Sequence, residues 1–298
     1  CRGRSVALRG CVLAATVAVG LGLMGIPAAG AVDSNTDAVA VPTRLLGINS
    51  PDRPSIMVIG DSIPKEMMDT FGRVAKDRDL NIVPVAFGGC SVEGLYQLDS
   101  RLAPFTWSAR CMRAPSVQDS AIKTFKPELV IWYSGREKFG FCTSPSKSGC
   151  ASDAATYAEG TTRARYRMSQ SMNNAIKRLT VDGAKVVIVI PTPRGPSTSG
   201  TCSIDPTASG CSQDPIDLAS FAWMKRAYTA LAAKYPTSVT TVQMDDLLCP
   251  DFDEMTGCAA RIRQGMLVRR DGVHVDQTQE GWFVKNLLAR IPAEFMPT

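Results

Sequence analysis

The stretch SIMVIGDSIPKEMM, residues 55–68, joins the two kinds of sequence that decide the fold. Ser55–Gly60 is a short, β-branched apolar run without polar alternation, the pattern of a strand buried on both faces of a sheet. Gly60-Asp61-Ser62 is turn chemistry, and from Pro64 to Lys76 the apolar residues recur at helical spacing. A strand, a tight turn and a helix in that order open a βαβ unit.

The same rhythm repeats outward. NIVPVAF (Asn81–Phe87), ELVIWYS (Glu128–Ser134), AKVVIVI (Ala184–Ile190) and SVTTVQM (Ser238–Met244) predict four further buried strands. Helical periodicity is clearest over Asp153–Thr180, Ile216–Lys234 and Gln277–Arg290. Strands alternating with helices predict an α/β fold: a mainly parallel five-stranded sheet with helices on both faces. Ligands of such sheets bind beyond the carboxyl ends of the strands, so the loops after each strand are the ones to read for chemistry.

The chain has 298 residues and a net charge of +5, too small and too scattered to suggest nucleic acid, and no aromatic-interleaved basic stripe is present. Residues 1–33 differ from the rest: Arg2, Arg4 and Arg9 precede an uncharged apolar run from Gly10 to Val32. That run is long enough to span a bilayer with its N-terminus in the cytoplasm, which places the remainder outside and the membrane contact at residues 10–32. A start at Cys1 rather than Met favours the last membrane helix of a longer protein; a signal peptide cleaved after Ala31 is the alternative. Residues 34–54 read as a linker and 55–298 as the folded domain.

Cysteine usage points to the same extracytoplasmic side. Cys90, Cys111, Cys142, Cys150, Cys202, Cys211, Cys249 and Cys258 are even in number, with loop-like sequence such as CTSPSKSGC between neighbours, and predict disulfides. Zinc is disfavoured because no CxxC pair occurs and the chain has one histidine. Asp245, Asp246, Asp251, Asp253 and Glu254 lack calcium-loop register, no phosphate-cradling glycine spacing occurs, and Trp132, Tyr133 and Trp282 read as packing residues.

Two loops carry the chemistry. Ser62 sits where the first strand turns into a helix, at the sheet's carboxyl edge and the positive end of the helix dipole, where an alkoxide-forming nucleophile is useful. Capping by Asp61 or Ser62 is the purely structural alternative. A serine nucleophile needs a base that titrates near neutrality, and His274 is the sole histidine. Asp271, three residues earlier in a glycine-containing turn, is placed to fix its tautomer.

GDS at Gly60–Ser62 and DGVH at Asp271–His274 resemble the first and last sequence blocks of the SGNH (GDSL-like) hydrolase superfamily. The resemblance spans about Pro51 to Thr298. It implies a flavodoxin-like three-layer α/β/α sandwich without a cofactor, with Ser62 as nucleophile, His274 as general base and acid, and Asp271 as its orienting partner. The family places a glycine after the second strand and an asparagine after the third, each donating N–H groups to the oxyanion. VAFGGCS supplies Gly89, preferred over Gly88 because the glycine directly precedes a cysteine in the subfamily this chain resembles. YSGREKF has no asparagine, and Arg136 stands near its place, leaving the N–H groups of Ser62 and Gly89, helped by Arg136, for the oxyanion.

That departure is similar to extracellular SGNH domains fused behind an acyltransferase-3 membrane domain. Their resemblance implies an acyl donor, usually acetyl, relayed across the bilayer by the membrane domain, and a cell-envelope glycan hydroxyl as acceptor. A secreted carbohydrate esterase and a catalytically idle glycan-binding domain are the alternatives.

Overall fold

The computed structural model describes residues 45–98, 102–144, 150, 156–193, 195, 215–251, 258, 262–269 and 271–298. The expected membrane or signal segment, most of the expected linker, Cys202, Cys211, Asp253 and Glu254 lie outside these. Among the described residues no helix is long and apolar enough to cross a membrane.

In chain order the elements begin with β1 (Leu46–Gly47), β2 (Ser55–Gly60), α1 (Ser62–Glu66), α2 (Met68–Lys76) and β3 (Asn81–Ala86). There follow β4 (Tyr96–Gln97), α3 (Ser108–Cys111), α4 (Ala114–Phe125), β5 (Leu129–Tyr133), β6 (Phe141–Cys142), β7 (Thr156–Tyr157), α5 (Thr162–Leu179) and β8 (Lys185–Ile190). The chain ends with α6 (Pro215–Lys234), β9 (Val239–Gln243), α7 (Asp245–Leu248), β10 (Ile262–Arg263), β11 (Met266–Leu267) and α8 (Glu280–Arg290). The main sheet runs β1-β3-β2-β5-β8-β9. Its last five strands are parallel, as the five apolar runs predict.

The sheet has six strands rather than five. The additional one, β1, pairs antiparallel with β3 through Leu46 and Ile82 and through Gly47 and Asn81, within the segment expected as linker. Two residues leave no periodicity to read, so only the tertiary pairing reveals the strand. Beyond Ile82, β3 carries Pro84, which has no N–H to give to a neighbour.

Alternation along the strands sorts the core into two layers. Met57, Ile59, Val83, Val85, Val130, Trp132, Val186 and Ile188 face α4, α5 and α6, where Val117, Ile122, Met168, Met172, Ile176, Met224 and Tyr228 meet them. Ile56, Val58, Ile82, Leu129, Ile131 and Val187 face the other way, onto Phe71 and Val74 of α2 and Phe283, Val284 and Leu287 of α8. Both faces are therefore covered, and this is why the central runs show no polar residue. Trp132, with 0% exposure, meets Tyr228 edge-on at 5.9 Å, so its expected packing role holds.

Two helix boundaries differ from those the periodicity predicts. The predicted helix over Asp153–Thr180 begins only at Thr162, because Thr156 and Tyr157 pair with Cys142 and Phe141 as β7. The helix predicted over Pro64–Lys76 breaks at Met67 into α1 and α2. Among the described residues, disulfides join Cys90 to Cys111, Cys142 to Cys150 and Cys249 to Cys258.

Gly60 closes β2 at φ +142, and a Cβ there would lie 1.8 Å from the Tyr133 carbonyl oxygen of the adjacent strand. Backbone cannot yield as a flexible side chain can, so Gly60→Ala should destabilise the domain by more than ~2 kcal/mol. Chemical denaturation checks this: a midpoint within error of the parent would contradict the close approach.

Candidate active site

The exits of β2, β3 and β5, together with the loop before α8, converge at the sheet's carboxyl edge. Asp61 organises the first of them. It is the N-cap of α1, its Oδ1 accepting from the Ile63 N–H at 2.9 Å, while its Oδ2 accepts from the Gly135 N–H at 2.9 Å. One carboxylate thus holds the turns after β2 and β5 in register. Burial raises the Asp61 pKa, opposed by the two backbone N–H groups and by Arg136 and His274.

Because Asp61 does the capping, the hydroxyl of Ser62 is left for another partner. Its Oγ lies 2.8 Å from His274 Nε2, across 212 residues of sequence. His274 Nδ1 lies 2.5 Å from Asp271 Oδ2, and Asp271 Oδ1 accepts from the N–H groups of Val273 (2.9 Å) and His274 (2.7 Å). The carboxylate therefore shapes the turn and orients the ring together. Burial pulls the Asp271 pKa upward, but the imidazole and the two N–H groups outweigh it and the net shift is downward. A partner on Nδ1 leaves Nε2 to face Ser62.

The loop bearing Asp271 and His274 is pinned from below. Arg269 is buried, and its Nη1 donates to the Pro193 carbonyl at 2.8 Å; the Gly195 N–H donates to the Gly272 carbonyl at 2.8 Å. Burial pushes the Arg269 pKa down to about 10, opposed by Tyr133, Asp271 and Asp245. From the other side, Asp276 donates its N–H to the Val268 carbonyl at 2.8 Å.

The turn after β3 runs Phe87-Gly88-Gly89-Cys90, closed by the Cys90 N–H donating to the Phe87 carbonyl at 3.0 Å. Gly89, at φ +80, occupies the third position, where a type II turn requires the left-handed region. Arg110 Nη2 donates to the Gly88 carbonyl at 2.8 Å, and the Cys90–Cys111 bridge ties the turn to the same helix, α3. With the Gly88 carbonyl directed at Arg110, the planar trans peptide points the Gly89 N–H the opposite way. No described residue accepts that N–H. Gly88 is the glycine that opens toward Ser62, since a Cβ there would come 3.9 Å from Ser62 Cβ, whereas one on Gly89 would meet the Trp107 ring.

Arg136 lines the same small cleft as Asp61, Ser62, Gly135 and Arg269. Its guanidinium lies 5.4 Å from the Trp107 ring centre and 5.0 Å from that of Phe139, an aromatic cradle that holds the cation in place. Trp107, Arg269 and Glu66 line or support the site although no motif in the sequence marks them, and Gly88 does so although its neighbour Gly89 is the glycine the motif favours. Only Glu66 had a usable signal: it is four residues from Ser62 on one helix face. Its Oε1 lies 3.4 Å from His274 Nε2.

Behind these loops, Glu93 and Glu137 form a buried acid pair. Both Glu93 carboxylate oxygens are shut from solvent without a hydrogen-bond partner, while Glu137 Oε1 accepts from the Val92 N–H at 3.2 Å and its Oε2 meets none. Burial raises both pKa values, with the neighbouring Glu137 carboxylate adding to the rise at Glu93. Among the described residues no group of three or more His, Cys, Asp or Glu could hold a metal ion. Of the acidic stretch, Asp245 accepts from Thr192 and pairs with Lys225, and Asp246 pairs with Arg290.

Comparison with known proteins follows from this geometry. The sequence model of a family described as "SGNH domain (fused to AT3 domains)" matches residues 33–278. A search of curated proteins returned no match. Among solved structures, an acetyl xylan esterase, AlAXEase, is 14% identical with a TM-score of 0.46, covering 80% of this chain and 100% of its own. TesA is 15% identical with a TM-score of 0.44, covering 80% and 99%. A GDSL-like lipase from Bacteroides thetaiotaomicron is 11% identical with a TM-score of 0.44, covering 82% and 89%. Likenesses at this level say nothing about the reaction.

The acid pair makes stability depend on pH. Both carboxyls bind their protons more tightly folded than unfolded, so stability falls as pH rises from the ordinary carboxyl range toward their folded values. Glu93→Gln keeps the shape and removes one charge. Its melting temperature should gain on the parent by about 3–5 °C per pH unit across that window. Scanning calorimetry from pH 5 to pH 8 checks this, and a constant offset between the two proteins would contradict it.

Proposed function

The chain belongs to the SGNH domain family, and from that premise we propose that it is a serine-dependent O-acyltransferase acting on a cell-envelope glycan through an acyl-Ser62 intermediate. The observation that carries this reading is the unbroken relay from Ser62 Oγ to His274 Nε2 (2.8 Å) and from His274 Nδ1 to Asp271 (2.5 Å).

In the first half-reaction, His274 Nε2 takes the Ser62 proton as Oγ attacks the acyl carbonyl carbon. The oxyanion of the tetrahedral intermediate accepts from the N–H groups of Ser62 and Gly89, with the cradled Arg136 guanidinium adding positive charge where the family has an asparagine. Loss of one such donor costs ~3 kcal/mol of transition-state stabilisation, so a fixed cation in that position is of consequence. His274 then protonates the leaving group. In the second half-reaction it takes a proton from the acceptor hydroxyl, whose oxygen attacks the acyl carbon. The bond to Oγ breaks, and the proton passes to Ser62. Asp271 stabilises the imidazolium in both halves.

Support for the compartment comes from the disulfides among the described residues, which persist in oxidising surroundings. The family's description as fused to AT3 domains supports a membrane acyltransferase-3 domain as the source of the acyl group; acetyl is the group we propose is transferred. With water in place of the glycan, the same steps describe an esterase.

Two substitutions test the relay with a chromogenic acetyl ester. Ser62→Ala should abolish burst and turnover, a loss of ~10⁴-fold or more, and Asp271→Asn should lower kcat by ~10³–10⁴-fold with an unchanged circular dichroism spectrum. Turnover that survives Ser62→Ala would overturn the acyl-serine reading.

A further inference from the structure

Glu66 ends α1 one helical turn beyond Ser62, so both side chains lie on one face of that helix. Its side chain is 53% exposed, and among the described residues its carboxylate touches only His274, with Oε1 3.4 Å from Nε2. Nε2 is the nitrogen that must meet the acceptor hydroxyl once Ser62 is acylated. A carboxyl acceptor therefore stands beside the point where the attacking oxygen arrives, and neither capping nor packing accounts for it.

Resting on the acyl-Ser62 reading, we propose that Glu66 is a specificity-determining residue that selects acceptors with vicinal hydroxyl groups, the pattern of a sugar ring, by accepting a hydrogen bond from the hydroxyl adjacent to the one acylated. The attacking hydroxyl has one hydrogen, and it goes to Nε2. An adjacent hydroxyl brings a second hydrogen within reach of Oε1, while a mono-alcohol offers none and leaves the half-exposed carboxylate to water. No proton moves to Glu66. The adjacent hydroxyl keeps its hydrogen while the acyl carbon exchanges its bond to Oγ for one to the acceptor oxygen. A hydrogen bond to a charged group contributes enough for a preference of about tenfold at a half-exposed site. Water also carries a second hydrogen, so the informative comparison is diol against mono-alcohol.

The experiment supplies the chain with a chromogenic acetyl ester as donor and equal concentrations of 1,2-propanediol and 1-propanol, and measures the ratio of the two acetylated products. Both products branch from one acyl-enzyme, so the ratio is independent of how fast that intermediate forms. The parent should favour the diol by about tenfold. Glu66→Leu should bring the ratio near the statistical value, and Glu66→Gln, whose amide oxygen still accepts, should retain part of the preference. An equal ratio in the parent and in Glu66→Leu, or a parent without preference, overturns the assignment. A Ser62→Ala control separates the two levels. If it abolishes both products while Glu66→Leu leaves the ratio unchanged, only the role of Glu66 fails; if both products persist, the acyl-serine reading fails and the assignment with it.

Discussion

The bidentate use of the Asp61 carboxylate is the constraint on which the site depends. Parallel strands end side by side, but nothing in a ladder of hydrogen bonds fixes the loops beyond it. Asp61 supplies that connection by taking the Ile63 N–H with one oxygen and the Gly135 N–H with the other. The turn carrying Ser62 and the loop carrying Arg136 become one unit, and Ser62 is freed from capping. Gly60 makes the arrangement possible, because the adjacent strand leaves no room for a side chain at that corner. The cost of burying Asp61 shows in its raised pKa, and two backbone donors with a nearby guanidinium offset it.

The opposite wall is built differently. Asp271 is about half exposed, at 51%, and relies on local turn geometry, not on burial. Three donors converge on it within four residues, so the carboxylate and the imidazole hold their mutual geometry whatever the rest of the domain does. What the fold must supply is the placement of that prebuilt unit against Ser62. Arg269 and Gly195 do this from one side and the Val268–Asp276 contact from the other. The site is thus two preassembled loops brought face to face by the sheet, an economical route to the tolerance of ~0.5 Å that such chemistry demands.

Legibility in the sequence follows the range of the forces involved. The five parallel strands were readable because burial on both faces leaves an apolar run that no exposed element shows. That Ser62, Asp271 and His274 come together was readable because a serine–histidine–aspartate arrangement restricts the residue types and the chain offers one histidine. Strand β1 was not readable, since two residues paired with Ile82 and Asn81 carry no period. Nor was the capture of Thr156 and Tyr157 by Phe141 and Cys142, which results from tertiary pairing overriding local propensity; the break at Met67 leaves no mark in the apolar periodicity. Gly88, Trp107 and Arg269 matter by where they stand and not by what they are. The acid pair of Glu93 and Glu137 lies in two loops 44 residues apart, and only the fold brings their charges together.

Strand β1 and Pro84 together bear on colloidal behaviour. A parallel sheet with an open border presents a row of unmet donors and acceptors on which a second molecule can template itself. Here β1 occupies the first two positions of that border, at Asn81 and Ile82, and Pro84 removes a donor just beyond. A stranger's strand could zip onto β3 for no more than a residue or two before losing register. At this border that is a built-in guard against fibril growth, achieved by two residues of chain and one imino acid.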